Sequence, residues 1–159
     1  MEEYVDMFDL STEELESRIL DCGGGPASFN VEMVRRGGWV ISCDPLYRYT
    51  ADAISGRIDE TYPGMIESME TEKSRFVWQR LGSPRQAGET RMAAMRQFLE
   101  DFELGRTEGR YTAAELPRLP FESGDFDLAL SSHLLFLYSN QLSLAVHRQS
   151  IREMLPSCA

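Results

Sequence analysis

Lysine is almost missing from this sequence: Lys73 stands alone, and the other basic side chains are arginines interleaved with acids. The 16 basic residues face 26 acidic ones, for a net charge of −10. A surface that follows a nucleic-acid backbone needs clustered Lys and Arg, so nucleic acid is not expected as a partner. Histidine is scarce as well; neither His133 nor His147 lies near a cysteine, and no metal site is expected. The three cysteines, Cys22, Cys43 and Cys158, make an odd count without paired spacing. That pattern predicts reduced thiols in a cytoplasmic protein rather than a disulfide framework. No apolar run approaches the roughly 20 residues that span a bilayer, so no membrane is expected as a partner. The acidic stretch Met1 to Asp9 has neither the basic flank nor the apolar core of a secretion signal.

What is present suffices for one core. At 159 residues and 42% hydrophobic, the chain predicts a single domain, residues 1–159. Ser11-Thr12-Glu13-Glu14 has the pattern of a capping box and predicts a short helix. Arg18 to Asp21 is a β-type run that leads into Gly23-Gly24-Gly25. Ala27 to Arg36 spaces Phe29, Met33 and Val34 at helical intervals before Gly37-Gly38, and Trp39 to Cys43 is a second short strand. Strand, glycines, helix and strand in succession make a βαβ unit with parallel strands and a right-handed crossover.

Residues 47–110 read as a helical excursion between the second and third strands. Thr50 caps a helix to about Thr61, Pro63 opens another, and Glu72 to Leu81 is a third. After Gly82-Ser83-Pro84, Gln86 to Leu104 carries a core stripe of Met92, Met95, Leu99 and Phe102. Arg75, Arg80 and Arg85 read as a solvated helix face. Tyr111 to Leu116 and Phe126 to Ser131 predict the third and fourth strands, the latter continuously apolar, as in a parallel strand covered on both faces. Gln141 to Leu155 predicts a closing helix that buries Leu142, Ala145, Ile151 and Leu155 and stops at Pro156. The fold class expected is α/β, a Rossmann-like parallel sheet of about four strands with a helical insertion between strands 2 and 3.

Two constellations carry chemistry. Glycines at a strand-to-helix turn let a ligand approach bare backbone, and the following helix offers free N–H groups. Asp44 ends the second strand nineteen residues beyond Gly25, close to the spacing of about 20 at which an acid meets a ribose. A dinucleotide fingerprint requires glycine where Ser28 stands, and a pyrophosphate disfavours an acid as near as Asp21. S-adenosylmethionine carries an ammonium and no phosphate, so Asp21 suits it better.

Ile19-Leu20-Asp21-Cys22-Gly23-Gly24-Gly25, Ile41-Ser42-Cys43-Asp44, Glu115-Leu116-Pro117-Arg118-Leu119-Pro120-Phe121 and Phe126-Asp127-Leu128-Ala129-Leu130-Ser131-Ser132-His133 resemble, in order, the cofactor motifs of class I S-adenosylmethionine-dependent methyltransferases. The resemblance implies that Gly23, Gly24 and Gly25 hold the methionine moiety, with Asp21 near its amino group. It implies that Asp44 holds the ribose, with Leu46 near the adenine. Glu115 and Leu116 would contact the adenine, and Ser131 would line the methionine arm. The family's third glycine is Ala27 here, which narrows the pocket slightly. Its complete sheet has seven strands in the order 3-2-1-4-5-7-6, so this chain is expected to stop before the fifth.

His133 follows the fourth strand and is either a general base or a hydrogen-bonded structural residue. Tyr138 and Asn140 lie in the loop behind it. The activity expected is methyl transfer to a small-molecule or protein acceptor. The alternative is an inactive module that binds S-adenosylmethionine or S-adenosylhomocysteine and forms a homodimer through the bare fourth strand.

Overall fold

Short helices precede the first strand: α1 (Glu2–Phe8) and α2 (Thr12–Leu15), the latter held by the expected capping box between Ser11 and Glu14. The computed structural model describes residues 1–75, Trp78 and residues 82–157. Cys158 lies outside these, as do residues 76, 77 and 79–81 of the helix expected over Glu72 to Leu81. β1 (Arg18–Cys22), α3 (Phe29–Arg35) and β2 (Trp39–Cys43) form the βαβ unit. β1 and β2 pair in parallel from Arg18 opposite Trp39 to Cys22 opposite Cys43. The remaining strands, β3 (Tyr111–Thr112) and β4 (Leu128–Leu130), complete an all-parallel sheet in the order β3-β2-β1-β4. The chain is an α/β protein with a Rossmann-like sheet.

Alternation along β1 sorts the core. Ile19 packs with Tyr4, Phe29, Met33 and Val40 on the face under α1 and α3. Leu20 and Cys22 pack with Cys43 and Phe126 on the other. At the opposite end of the sheet from the strand tips, Trp39 is half exposed, its ring 5.7 Å from that of Phe126.

Between β2 and β3 run two long helices, α4 (Ala51–Thr71) and α5 (Pro84–Thr107), capped by Thr50 and Ser83. Pro63 does not open a new helix, as the sequence suggested, but lies inside α4. A proline there removes one backbone hydrogen bond, and packing compensates. Tyr62 and Ile66, on either side of it, press against Gly88 of α5, where no side chain intervenes. Ile54 and Ile58 pack with Phe98 and Phe102, alongside Tyr47 and Tyr111.

β3 is shorter than the expected Tyr111 to Leu116, because β2 offers it only Ser42 and Cys43 before the chain turns at Asp44. Glu115 and Arg118 then close a turn. The last helix, α6 (Leu144–Ser157), starts later than Gln141, runs past Pro156 and presents an unexpected face. His147 and Ser150 are buried, whereas Leu144, Ile151 and Leu155 are exposed. No helix among the described residues is long and apolar enough to cross a membrane.

Candidate functional site

Beyond β1 the backbone enters left-handed conformations at Gly23 (φ 74°) and Gly25 (φ 54°), which side chains resist. The tip of β2 holds this loop. The Gly23 amide donates to the Cys43 carbonyl at 2.8 Å, and the Gly25 amide donates to Oδ2 of Asp44 at 3.0 Å. Oδ1 of Asp44 accepts from the Leu46 amide at 2.7 Å and so caps the turn Pro45–Arg48. The buried Tyr47 hydroxyl donates back to the Gly25 carbonyl at 2.8 Å. Burial raises the Asp44 carboxyl above its ordinary range, against the pull of the Leu46 and Gly25 amides. Its two backbone donors leave roughly two of about four acceptor positions on the carboxylate for a ligand's hydroxyls.

Asp21 is turned inward and does not line the crevice. It is 1% exposed, and its oxygens accept from the Tyr4 hydroxyl at 3.2 Å and the Ser42 hydroxyl at 2.9 Å. Gly24 covers it: a methyl group added there would run into the Asp21 carboxylate and lie 2.8 Å from the Tyr47 hydroxyl. Burial pushes the Asp21 carboxyl up to about 6, although the hydrogen bonds from Ser42 and Tyr4 oppose the shift. Tyr4 also shares a hydrogen bond of 2.8 Å with Ser132 at the end of β4. Tyr4→Phe leaves both partners without that contact and is expected to cost about 1–2 kcal/mol, read from urea unfolding. A loss under about 0.3 kcal/mol would mean that the network does not hold the strand tips.

Gly23, Asp44, Glu115, Leu116 and His133 line one cavity of about 370 Å³ at the carboxyl ends of the strands. Pro45, Leu134, Leu142 and Val146 supply apolar wall, and among the described residues no Lys or Arg lines it. His133 has φ 51° and is exposed; histidine enters that region more readily than most side chains. The other expected contacts lie elsewhere. Gly24 is buried over Asp21, and Gly25 is partly exposed outside the cavity lining; Leu46 packs on the aromatic cluster around Tyr47. Ser131 faces a second cavity, of about 320 Å³, lined by Leu128, Ala129, Phe136, Ile151, Met154 and Leu155.

Sequence reasoning missed four contributors: Tyr4, Tyr47, Leu134 and His147. Tyr4 had a signal, since Met1, Val5 and Phe8 share its helical face. Leu134 had none. Its side chain sits on the glycine loop, where a Cβ at Gly23 would lie 2.8 Å from Leu134 Cδ2.

The chain is similar to an uncharacterized protein, MJ0045, from Methanocaldococcus jannaschii, with 29% identity over 154 residues. The match covers 96% of this chain and 69% of that protein. No protein-family model matches the chain. No solved structure matches it either.

Proposed function

We propose that the chain binds S-adenosylmethionine and transfers its methyl group to a small-molecule or protein acceptor. The observation that carries this reading is the cavity that unites Gly23, Asp44, Glu115 and Leu116 with His133. Its size falls in the range of about 300–1,000 Å³ typical of ligand pockets. The strand order β3-β2-β1-β4 agrees with the first four strands of the methyltransferase sheet. In such sheets ligands lie outside the carboxyl ends, where the strand order reverses.

The residues present fit this cofactor better than a dinucleotide. Among the described residues, two carboxylates, Asp44 and Glu115, and no Lys or Arg border the cavity. Such a lining repels a pyrophosphate and accepts hydrogen bonds from ribose hydroxyls and an amino group. Asp44 would hold the ribose, Glu115 and Leu116 the base, and the backbone at Gly23 the methionine arm. The group, when bound, supplies a methyl carbon already activated by a sulfonium. The protein's share is then alignment and exclusion of water. Leu134, Leu142 and Val146 exclude water, and His133 takes a proton from the acceptor where one must leave. Asp21 stays behind Gly24 as a buried support.

Calorimetric titration with S-adenosylhomocysteine tests the reading. Measurable binding is expected, weakened by Asp44→Ala at least about tenfold, or about 1.4 kcal/mol. Equal affinity in the two proteins would remove Asp44 from the site, and no binding to the unsubstituted chain would sink the reading.

A second reading, a binding module that forms a homodimer through β4, draws on a different observation. Among the described residues β4 pairs with β1 alone, and the apolar groove beside it is lined by exposed Phe136, Ile151 and Leu155. Exposed strand edges of this kind invite pairing. Sedimentation equilibrium that returns a monomer at every concentration would dispose of it.

A further inference from the structure

The ten residues 133–142 between β4 and α6 contribute His133, Leu134, Leu135, Tyr138 and Leu142 to the wall of the crevice. Two of them, His133 (φ 51°) and Phe136 (φ 68°), hold left-handed backbone that non-glycine residues seldom adopt unaided. Something must keep the segment in this arrangement. The Phe136 amide donates to Nε2 of His147 at 3.0 Å, and the other ring nitrogen, Nδ1, lies 2.9 Å from the Ser143 carbonyl. A carbonyl only accepts, so Nδ1 carries the proton and Nε2 is bare. His147 is 5% exposed, with its ring 5.3 Å from that of Phe136. Both nitrogens of a buried imidazole are therefore spent on backbone, one on its own helix and one on the segment above.

We infer that His147 is a positioning residue: its neutral, Nδ1-protonated ring latches residues 133–142 over the crevice, which sets His133 at the cavity and seats Leu134 on Gly23. The latch stands on geometry alone; its effect on ligand entry rests on the proposed cofactor reading. Leu134 covers Gly23 on the side that a Cβ would take, beside the part of Gly23 that lines the cavity. A ligand that reaches under Leu134 must displace it, and the latch decides how readily the segment yields.

The test is nuclear magnetic resonance on the isotope-labelled protein, with His147→Leu and His147→Gln beside it. The unsubstituted chain is expected to show the Nδ1–H tautomer at His147 and a scalar coupling across the Phe136 N–H to Nε2 hydrogen bond. In His147→Leu the Phe136 amide should exchange with solvent at least about tenfold faster, with Leu20 in β1 unchanged. His147→Gln, whose side-chain oxygen can accept the same bond, should restore slow exchange. An Nε2–H tautomer, absence of the coupling, or equal Phe136 exchange in His147→Leu overturns the latch. If His147→Leu fails to fold, the tautomer, the coupling and the glutamine variant decide. S-adenosylhomocysteine is the probe for ligand entry: it should associate faster with Leu134→Ala than with the unsubstituted chain. No binding to any form overturns the cofactor reading and leaves the latch standing; a failed latch with binding intact does the reverse.

Discussion

Asp21→Asn is expected to stabilise the protein at about pH 8, by an amount on the order of 3 kcal/mol. The carboxyl of Asp21 is raised from 3.8 to about 6 in the folded chain, chiefly by burial. Between these values the folded state holds a proton that the unfolded state has released, so stability falls as pH rises through the window. At about 1.4 kcal/mol per pH unit, the loss approaches 3 kcal/mol once the pH exceeds about 6. Asparagine avoids it, because its oxygen can accept from Ser42 while its amide donates to Tyr4, whose hydroxyl then donates to Ser132. Denaturant unfolding across about pH 3.5 to 8 should bring the two proteins together at the acidic end and separate them progressively. Parallel pH profiles would mean that Asp21 is charged in the fold and compensated in some other way.

Phe102→Ala should remove about 3–5 kcal/mol, the usual loss for a fully buried phenylalanine. Phe102 is 0% exposed, and its ring lies 5.0 Å from Phe98, 5.5 Å from Tyr111 and 5.8 Å from Tyr47. The cluster is the seam that joins α4 and α5 to the sheet. Its effect should reach the site, since Tyr47 stands in the cluster and holds the Gly25 carbonyl. Leu104→Ala, at a position 60% exposed on the same helix, is the control and should change stability by under about 0.5 kcal/mol. Similar losses in both variants would mean that the hairpin, and not its aromatic seam, carries the stability.

The parts of this fold that could be read from sequence are those governed by local rules. Gly23-Gly24-Gly25 between two apolar runs, with Asp44 at the end of the second, placed β1, α3 and β2 almost to the residue. The caps at Ser11 and Thr50 are equally local. Illegible features depend on what lies across the fold. Pro63 looked like a helix start because the clamp of Tyr62 and Ile66 on Gly88 is a tertiary fact. The apolar residues of α6 looked like its buried side, yet Ile151 and Leu155 face an open groove, while the polar His147 and Ser150 point inward. Asp21 looked like a ligand contact, since nothing in the sequence says that Tyr4 from the first helix will claim it. Asp44, Glu115 and His133 were legible as a set because each ends or follows a parallel strand, and all such ends share one side of the sheet.

The long detour from β2 to β3 has a bearing on the order of assembly. Contacts between the two helices, Ile66 with Gly88 among them, span fewer residues than the pairing of Ser42 with Tyr111, so the helix pair is expected to dock before β3 joins the sheet. Pairings between residues far apart in sequence are slow to form, yet the entropic cost of closing a loop grows only as the logarithm of its length. The length of the detour thus adds little entropic cost to closing the sheet, provided that its aromatic base still presents β3 to β2.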